Sequence, residues 1–211
     1  MPRPSQQVDQ ALLRSGRALY PTLGCAGLSQ RKLAEHAGVS PGMFHYHFAS
    51  KDEFLRTLLQ QLYEEMFSGL AADAAEPGPA LQRLEHALFG IACFLREHRP
   101  LLMRLALDAA NGEAVPREFL RANAPRHLGL LAGLMVQAQQ DGDLPAVRHP
   151  LQRVTFVFGA VLAPLVVVPA VMALGVAFPG PAPATQVGSD AAIRQRISMA
   201  LSALRQAQEA A

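Results

Sequence analysis

A chain of 211 residues, half of them apolar, with a net charge of +2 holds enough for one large or two modest domains and is too apolar to be wholly disordered. The charge is uneven: residues 1–56 carry seven Lys/Arg against four Asp/Glu, the remainder twelve against thirteen, so a mildly basic end sits on a near-neutral body, which suits a polyanionic partner. Two cysteines in unlike contexts, Cys25 and Cys93, exclude a disulfide framework and point to a reducing compartment; the opening MPRPSQQVDQ lacks the apolar run of a signal peptide, so cytoplasmic residence is expected.

Apolar positions recur at helical spacing along the chain, and nothing reads as strand. The spacing predicts a first helix over about 6–20, with Val8, Leu12, Ser15 and Leu19 on one stripe and Leu23-Gly24 closing it. Ser29 can cap the next helix, whose Leu33, Ala34 and Ala37 face inward and which Gly38 ends. Ser40 can cap a third, with Pro41 at its first position, where a missing N–H costs nothing. Phe44 and Phe48, four apart, point into a core. Ser50 to Glu53 form an S-x-x-E capping box, opening a long helix through Phe54, Leu58, Leu62 and Phe67. A boundary is expected at Asp73–Pro79. Beyond it the pattern predicts helices near 80–98, 100–110, 115–140, 150–174 and 190–208, with 175–190 a loose loop.

Within AGVSPGMFHYHF, Ala37 to Phe48, Gly38-x-Ser40-x-Gly42 has the pattern of a hydrolase nucleophile elbow. That elbow needs a preceding strand and the N–H of the residue after the serine; RKLAEHA reads as helix, and Pro41 has no N–H. Two helices joined by a tight Gly38-Val39-Ser40 turn are instead a helix-turn-helix. The second helix buries Phe44 and Phe48 and is expected to expose Gly42, Met43, His45, Tyr46 and His47. A face of rings and donors with almost no charge suits the major groove, where polar groups read base edges and apolar ones meet the thymine methyl. Gly42 would let the backbone approach the duplex, and Lys51 at the next helix start would favour a phosphate.

The stretch Gly27 to Leu55, GLSQRKLAEHAGVSPGMFHYHFASKDEFL, resembles the DNA-binding domain of the TetR family of bacterial transcription regulators. The resemblance implies an all-α dimer: an N-terminal three-helix DNA-binding domain, here 1–56 with its last helix continuing to about 72, followed by a larger helical domain, 73–211, for effector binding and dimerisation. It also implies roles in DNA binding for Ser29, Gln30 and Arg31, a reading surface of Pro41, Gly42, Met43, His45, Tyr46 and His47, and a backbone grip for Lys51. His45 stands where the family most often has tyrosine, so base preference and pH response are expected to differ.

For the body, an apolar or aromatic effector is expected among Phe89, Cys93, Met103, Leu107, Phe119, Leu131, Met135 and Phe156, with Arg104, Asn111 and His127 as polar contacts; core filling is the competing reading for each, and for Cys93 above all. His45 and His47, two apart on a helix, cannot easily share an ion, and His86, His98, His127 and His149 are scattered, so neither a metal nor a cofactor is expected. No paired carboxylates or nucleophile–base pair stands out, so the expected class is not an enzyme. Val154 to Phe178 is uncharged over 25 residues, ~37 Å as a helix and long enough to cross a bilayer. Pro164, Pro169 and the lack of interfacial Trp or Tyr favour instead a place in a soluble bundle. The stripe Ile193, Ile197, Ala200, Leu201 and Leu204 gives this helix a partner. The expected assembly is a homodimer through about 150–174 and 190–208, bound to double-stranded DNA and released by a small molecule, with no membrane. A membrane-associated regulator held by 154–178 and a helical enzyme using the C-terminal cavity are the alternatives.

Overall fold

In a computed structural model of the protein, residues 4–146, 150–177 and 183–206 are described, and all their regular structure is helical. The helices are α1 (Pro4–Gly27), α2 (Gln30–Ala37), α3 (Pro41–His47), α4 (Lys51–Ala75), α5 (Ala80–Ala110), α6 (Ala114–Gln140), α7 (Pro150–Ala173), α8 (Pro183–Gly188) and α9 (Asp190–Gln206). They form two compact units: Met1–Glu65 with Pro100–Ala124, and Met66–Arg99 with Pro125–Ala211.

In the first unit, α1, α2, α3 and the first turns of α4 close around Leu12, Tyr20, Leu33, Phe44, Phe54 and Leu58, all inaccessible to solvent. The rings of Phe44, Phe48 and Phe54 pack with centroids 5.0–5.6 Å apart. The first helix breaks at Gly24 (φ 61°, ψ −171°), where the spacing placed its end; one further turn follows to Gly27, and Pro21 lies inside the longer part. Only glycine enters that backbone region without strain.

The second unit gathers Leu84, Leu88, Leu131, Val157, Val161, Ile193 and Ile197 in one core. Pro100 was expected to separate two helices; α5 instead runs unbroken across it, because a proline φ is helical and only one intrahelical bond is lost. The expected loop over 175–190 contains α8. Arg96 Nη1 holds its end, donating to Gly188 O (2.8 Å) and Asp190 Oδ1 (2.6 Å), and Ser189 Oγ caps α9 through the Ala192 N–H. His149 and Phe178, and positions 207–208 of the expected last helix, lie outside the described residues.

Within the single chain, helix α7 is covered on one side only. It buries Arg153, Val157, Val161 and Leu165, while Leu151, Phe156 and Val167 are exposed. Length and composition would let it cross a bilayer. Beside it, α9 buries Ile193, Ile197, Ala200, Leu201 and Leu204.

Candidate nucleic-acid interface

The turn between α2 and α3 is written in local capping chemistry. Ser29 Oγ accepts from the Lys32 N–H (3.3 Å), satisfying one of the unpaired donors at the start of α2. Gly38, at φ 69° and ψ 28°, lets the N–H groups of Gly38 and Val39 return to the carbonyls of Glu35 (3.2 Å) and Ala34 (3.0 Å), the paired bonds of a Schellman end. Ser40 occupies the N-cap of α3, but its side chain makes no capping bond. The Met43 N–H is 2.9 Å from the Ser40 carbonyl, and Pro41 removes one N–H needing a cap. The S-x-x-E box is present: Glu53 N–H donates to Ser50 Oγ (3.1 Å), while Glu53 Oε2 accepts from the Ala49 N–H (2.8 Å), one residue before the usual partner.

This frame holds α3 with Phe44 fully buried and Pro41, Gly42, His45 and Tyr46 exposed, Tyr46 at 77 %. Met43 is half-buried. His47 departs from the expected outward ridge. Its side chain is only 5 % exposed and its Nδ1 pairs with the carboxylate of Asp9 on α1, while its buried Nε2 meets no partner among the described residues. The exposed ridge is therefore His45–Tyr46, and His47 ties α3 to α1.

Arg31 is exposed at the first turn of α2 and makes no ion pair among the described residues. Ser29 and Gln30 beside it are half-buried. Lys51, expected to favour a phosphate, has a partner within the chain. Its Nζ donates to the Cys25 carbonyl (2.9 Å), and Lys32 Nζ donates to Gly27 O (3.0 Å). Both ammonium groups thus satisfy carbonyls of the short turn that follows the Gly24 break, and each retains further donors. Arg17 and Arg56 are paired with Glu65 and Glu118.

The kink of α1 has a buried polar network that the pattern of residues does not disclose. The Cys25 N–H donates to Asp108 Oδ2 (2.8 Å), Arg104 Nε donates to Asp108 Oδ1 (2.9 Å), and the Tyr20 hydroxyl lies 3.8 Å from Cys25 Sγ. A Cβ on Gly24 would fall 1.9 Å from the Arg104 guanidinium. Burial pushes the Cys25 thiol up to about 12 and raises Tyr20 as well. Burial also works to raise Asp108, but the Cys25 N–H, the Tyr20 and Cys25 side chains and Arg104 outweigh it and hold the carboxyl below its ordinary range. Arg104, expected to meet an effector, is committed to this network.

The other effector candidates are not brought together. Leu131 and Met135 lie in the core of the second unit. Phe89 there faces the Arg194 guanidinium, 3.7 Å from the ring centroid, with Cys93 half-buried, His127 half-buried and Phe156 exposed. In the first unit Met103, Leu107 and Asn111 are exposed. Phe119 alone of the set lines a cleft of about 610 Å³ between α4 and the start of α6. Among the described residues no cluster of three His, Cys, Asp or Glu could hold a metal ion; His36 Nδ1 instead meets Ser15 Oγ at 3.0 Å.

A three-helix head with a capped turn and an exposed second helix defines a helix-turn-helix protein of the DNA-binding class. Residues 12–58 match the family of bacterial regulatory proteins of the tetR type. No curated protein matches the chain, whereas solved structures do over nearly its whole length. A TetR-family transcription regulator from Marinobacter aquaeolei VT8 is 18% identical, with a TM-score of 0.67 over 94% of this chain and 96% of that one. A TetR-family regulator from Agrobacterium tumefaciens is 17% identical, TM-score 0.68, over 95% and 99%. The transcriptional regulator FadR from Bacillus subtilis, solved with stearoyl-CoA, is 15% identical, TM-score 0.69, over 93% and 97%. The N-terminal domain is thus that of the TetR family of regulatory proteins, set in a chain whose fold is that of TetR-family transcription regulators throughout.

Proposed function

We propose that the chain is a cytoplasmic repressor that binds a palindromic operator as a homodimer and leaves it when a small molecule binds its body, residues 73–211 together with the part of α4 leading into them. The observation that carries the DNA-binding part is the exposed, nearly uncharged His45–Tyr46 face of α3, held by the capped Gly38 turn and flanked by Arg31. Solvent gains nothing from an exposed ring at that place, whereas base edges and thymine methyls do. Pro41, Gly42 and Met43 approach the bases, and Arg31 meets a base or phosphate. Ser29, Gln30 and the remaining donors of Lys51 meet the backbone. Two such helices related by a two-fold axis read half-sites about one turn, ~34 Å, apart.

The dimer reading rests on α7 and α9. The exposed Phe156 and Val167 leave a face that water covers poorly. Immersion in lipid suits it less well than a second copy, because the adjoining α9 exposes Arg194, Gln195, Ser198 and Ser202. Release requires the effector to prefer a state in which the two reading helices are wrongly spaced.

Selection of bound duplexes from a random-sequence pool by the full chain tests the proposal: it should enrich a two-fold symmetric site. Arg31→Ala should weaken binding to every sequence and lower the salt slope by about 1 if the contact is to phosphate. A pool that stays random after repeated rounds at low salt contradicts the reading.

A further inference from the structure

We infer that the cleft walled by Arg99 of α5, Leu165 and Pro169 of α7 and Val187 of α8 binds a small organic monocarboxylate with an apolar body; its regulatory consequence rests on the function proposed above. These residues all belong to the second unit, and the cleft holds about 430 Å³, within the range of small-molecule sites. Its apolar wall follows from helical spacing. Leu165 and Pro169 continue, four residues at a time, the inward line of Val157 and Val161 on α7. They point away from the exposed Val167, two residues past Leu165, so the wall is not the face assigned to the dimer.

Two arginines and no Asp or Glu line the cleft. Arg96 is already spent. Its Nη1 donates to Gly188 O (2.8 Å) and Asp190 Oδ1 (2.6 Å), and its Nη2 lies 3.8 Å from Glu97 Oε1; these contacts fix the turn between α8 and α9 as a wall. Arg99, three residues further along α5, is half-buried on the same cleft and has neither hydrogen bond nor ion pair among the described residues. A guanidinium withdrawn in part from water gains most from a carboxylate, which its fork of N–H donors meets two at a time. The Thr185 hydroxyl, exposed at the rim, can donate to the same group. An independent sign lies behind the wall. Arg196 on α9 donates Nη1 to Val187 O (2.6 Å), while its buried Nε and Nη2 have no partner and no carboxylate pairs with it among the described residues. Burial holds its pKa below the usual guanidinium range, as befits a cation without a counter-charge. Arg196 need not touch a ligand; its field favours an anion nearby, and more so at low effective permittivity. One free guanidinium and one such field suit a single negative charge, and the apolar wall suits the body that carries it.

The experiment titrates the full chain with 2-naphthoate and, separately, with 2-naphthamide, a neutral molecule of nearly the same shape. Binding is read by calorimetry, and folding is verified by thermal melts. The expected result is saturable binding of one 2-naphthoate per chain, roughly tenfold weaker for 2-naphthamide and for the Arg99→Gln variant. Arg205→Gln, at an exposed arginine of α9 away from the cleft, should keep the wild-type affinity, and an equal concentration of inorganic sulfate, a charge without an apolar body, should not compete. Absence of saturable binding by the folded wild type overturns the inference, as does equal affinity for 2-naphthamide, indifference to Arg99→Gln, an equal loss in Arg205→Gln or displacement by sulfate. Binding to the selected duplex is measured in parallel. DNA binding without 2-naphthoate binding removes the cleft assignment alone; 2-naphthoate binding without DNA binding supports the cleft and overturns the regulator.

Discussion

At Gly42 the demands of folding and of reading DNA pull apart. A Cβ built there meets nothing within 4 Å, and the residue is not among the positive-φ glycines. Gly42→Ala should therefore hold or raise the melting temperature, by up to ~1 kcal/mol of helix propensity. The same methyl would stand between the backbone and the bases, so affinity for the selected duplex, read by fluorescence anisotropy, should fall; unchanged affinity would remove Gly42 from the interface. Tyr46→Ala, at a largely exposed side chain, should leave stability within ~0.5 kcal/mol while altering the selected sequence. The inward turn of Phe44 and Phe48 was legible from their spacing. The inward turn of His47 was not, because it is decided by Asp9, a residue on another helix that no local pattern points to.

At the scale of elements, the ends of α2 and α4 could be read directly, since Ser29, Gly38 and the Ser50–Glu53 box act on their own neighbours within four residues. The 175–190 stretch misled for the opposite reason: contacts from Arg96 on α5, not local preference, settle the end of α8. The same holds for the kink of α1, held by Asp108 from the far end of α5. Asp108→Asn should lower stability by about 2 kcal/mol, as loss of hydrogen bonds to a charged group does. The pH sign follows from the lowered pKa. The native carboxylate adds stability above the unfolded value of about 3.9, and that contribution is lost as pH falls through the lower native value. Acid unfolding curves of the variant should be correspondingly flatter below about pH 4; identical curves would mean that Asp108 does not hold the kink.

At the scale of the whole molecule, the all-helical class and the head were legible because they rest on periodicity and on a compact motif. The effector set was not, because residues sharing a hydrophobic pattern, such as Met135 in the core and Met103 at the surface, are sorted only by the folded chain. The proposed association through α7 makes a test of Val167→Glu, at an exposed position: it should convert a micromolar dimer into a monomer in sedimentation velocity, with little loss of helical signal. A monomeric wild type, or an unaltered variant, would move the interface elsewhere. The central claim is that α3 enters the major groove twice on one face of DNA. Methylation interference on the selected duplex tests it most directly, because dimethyl sulfate marks guanine N7 in the major groove and adenine N3 in the minor groove. The account predicts interference from guanine N7 in two patches about one helical turn apart; interference confined to adenine N3, or none at either atom, would contradict it.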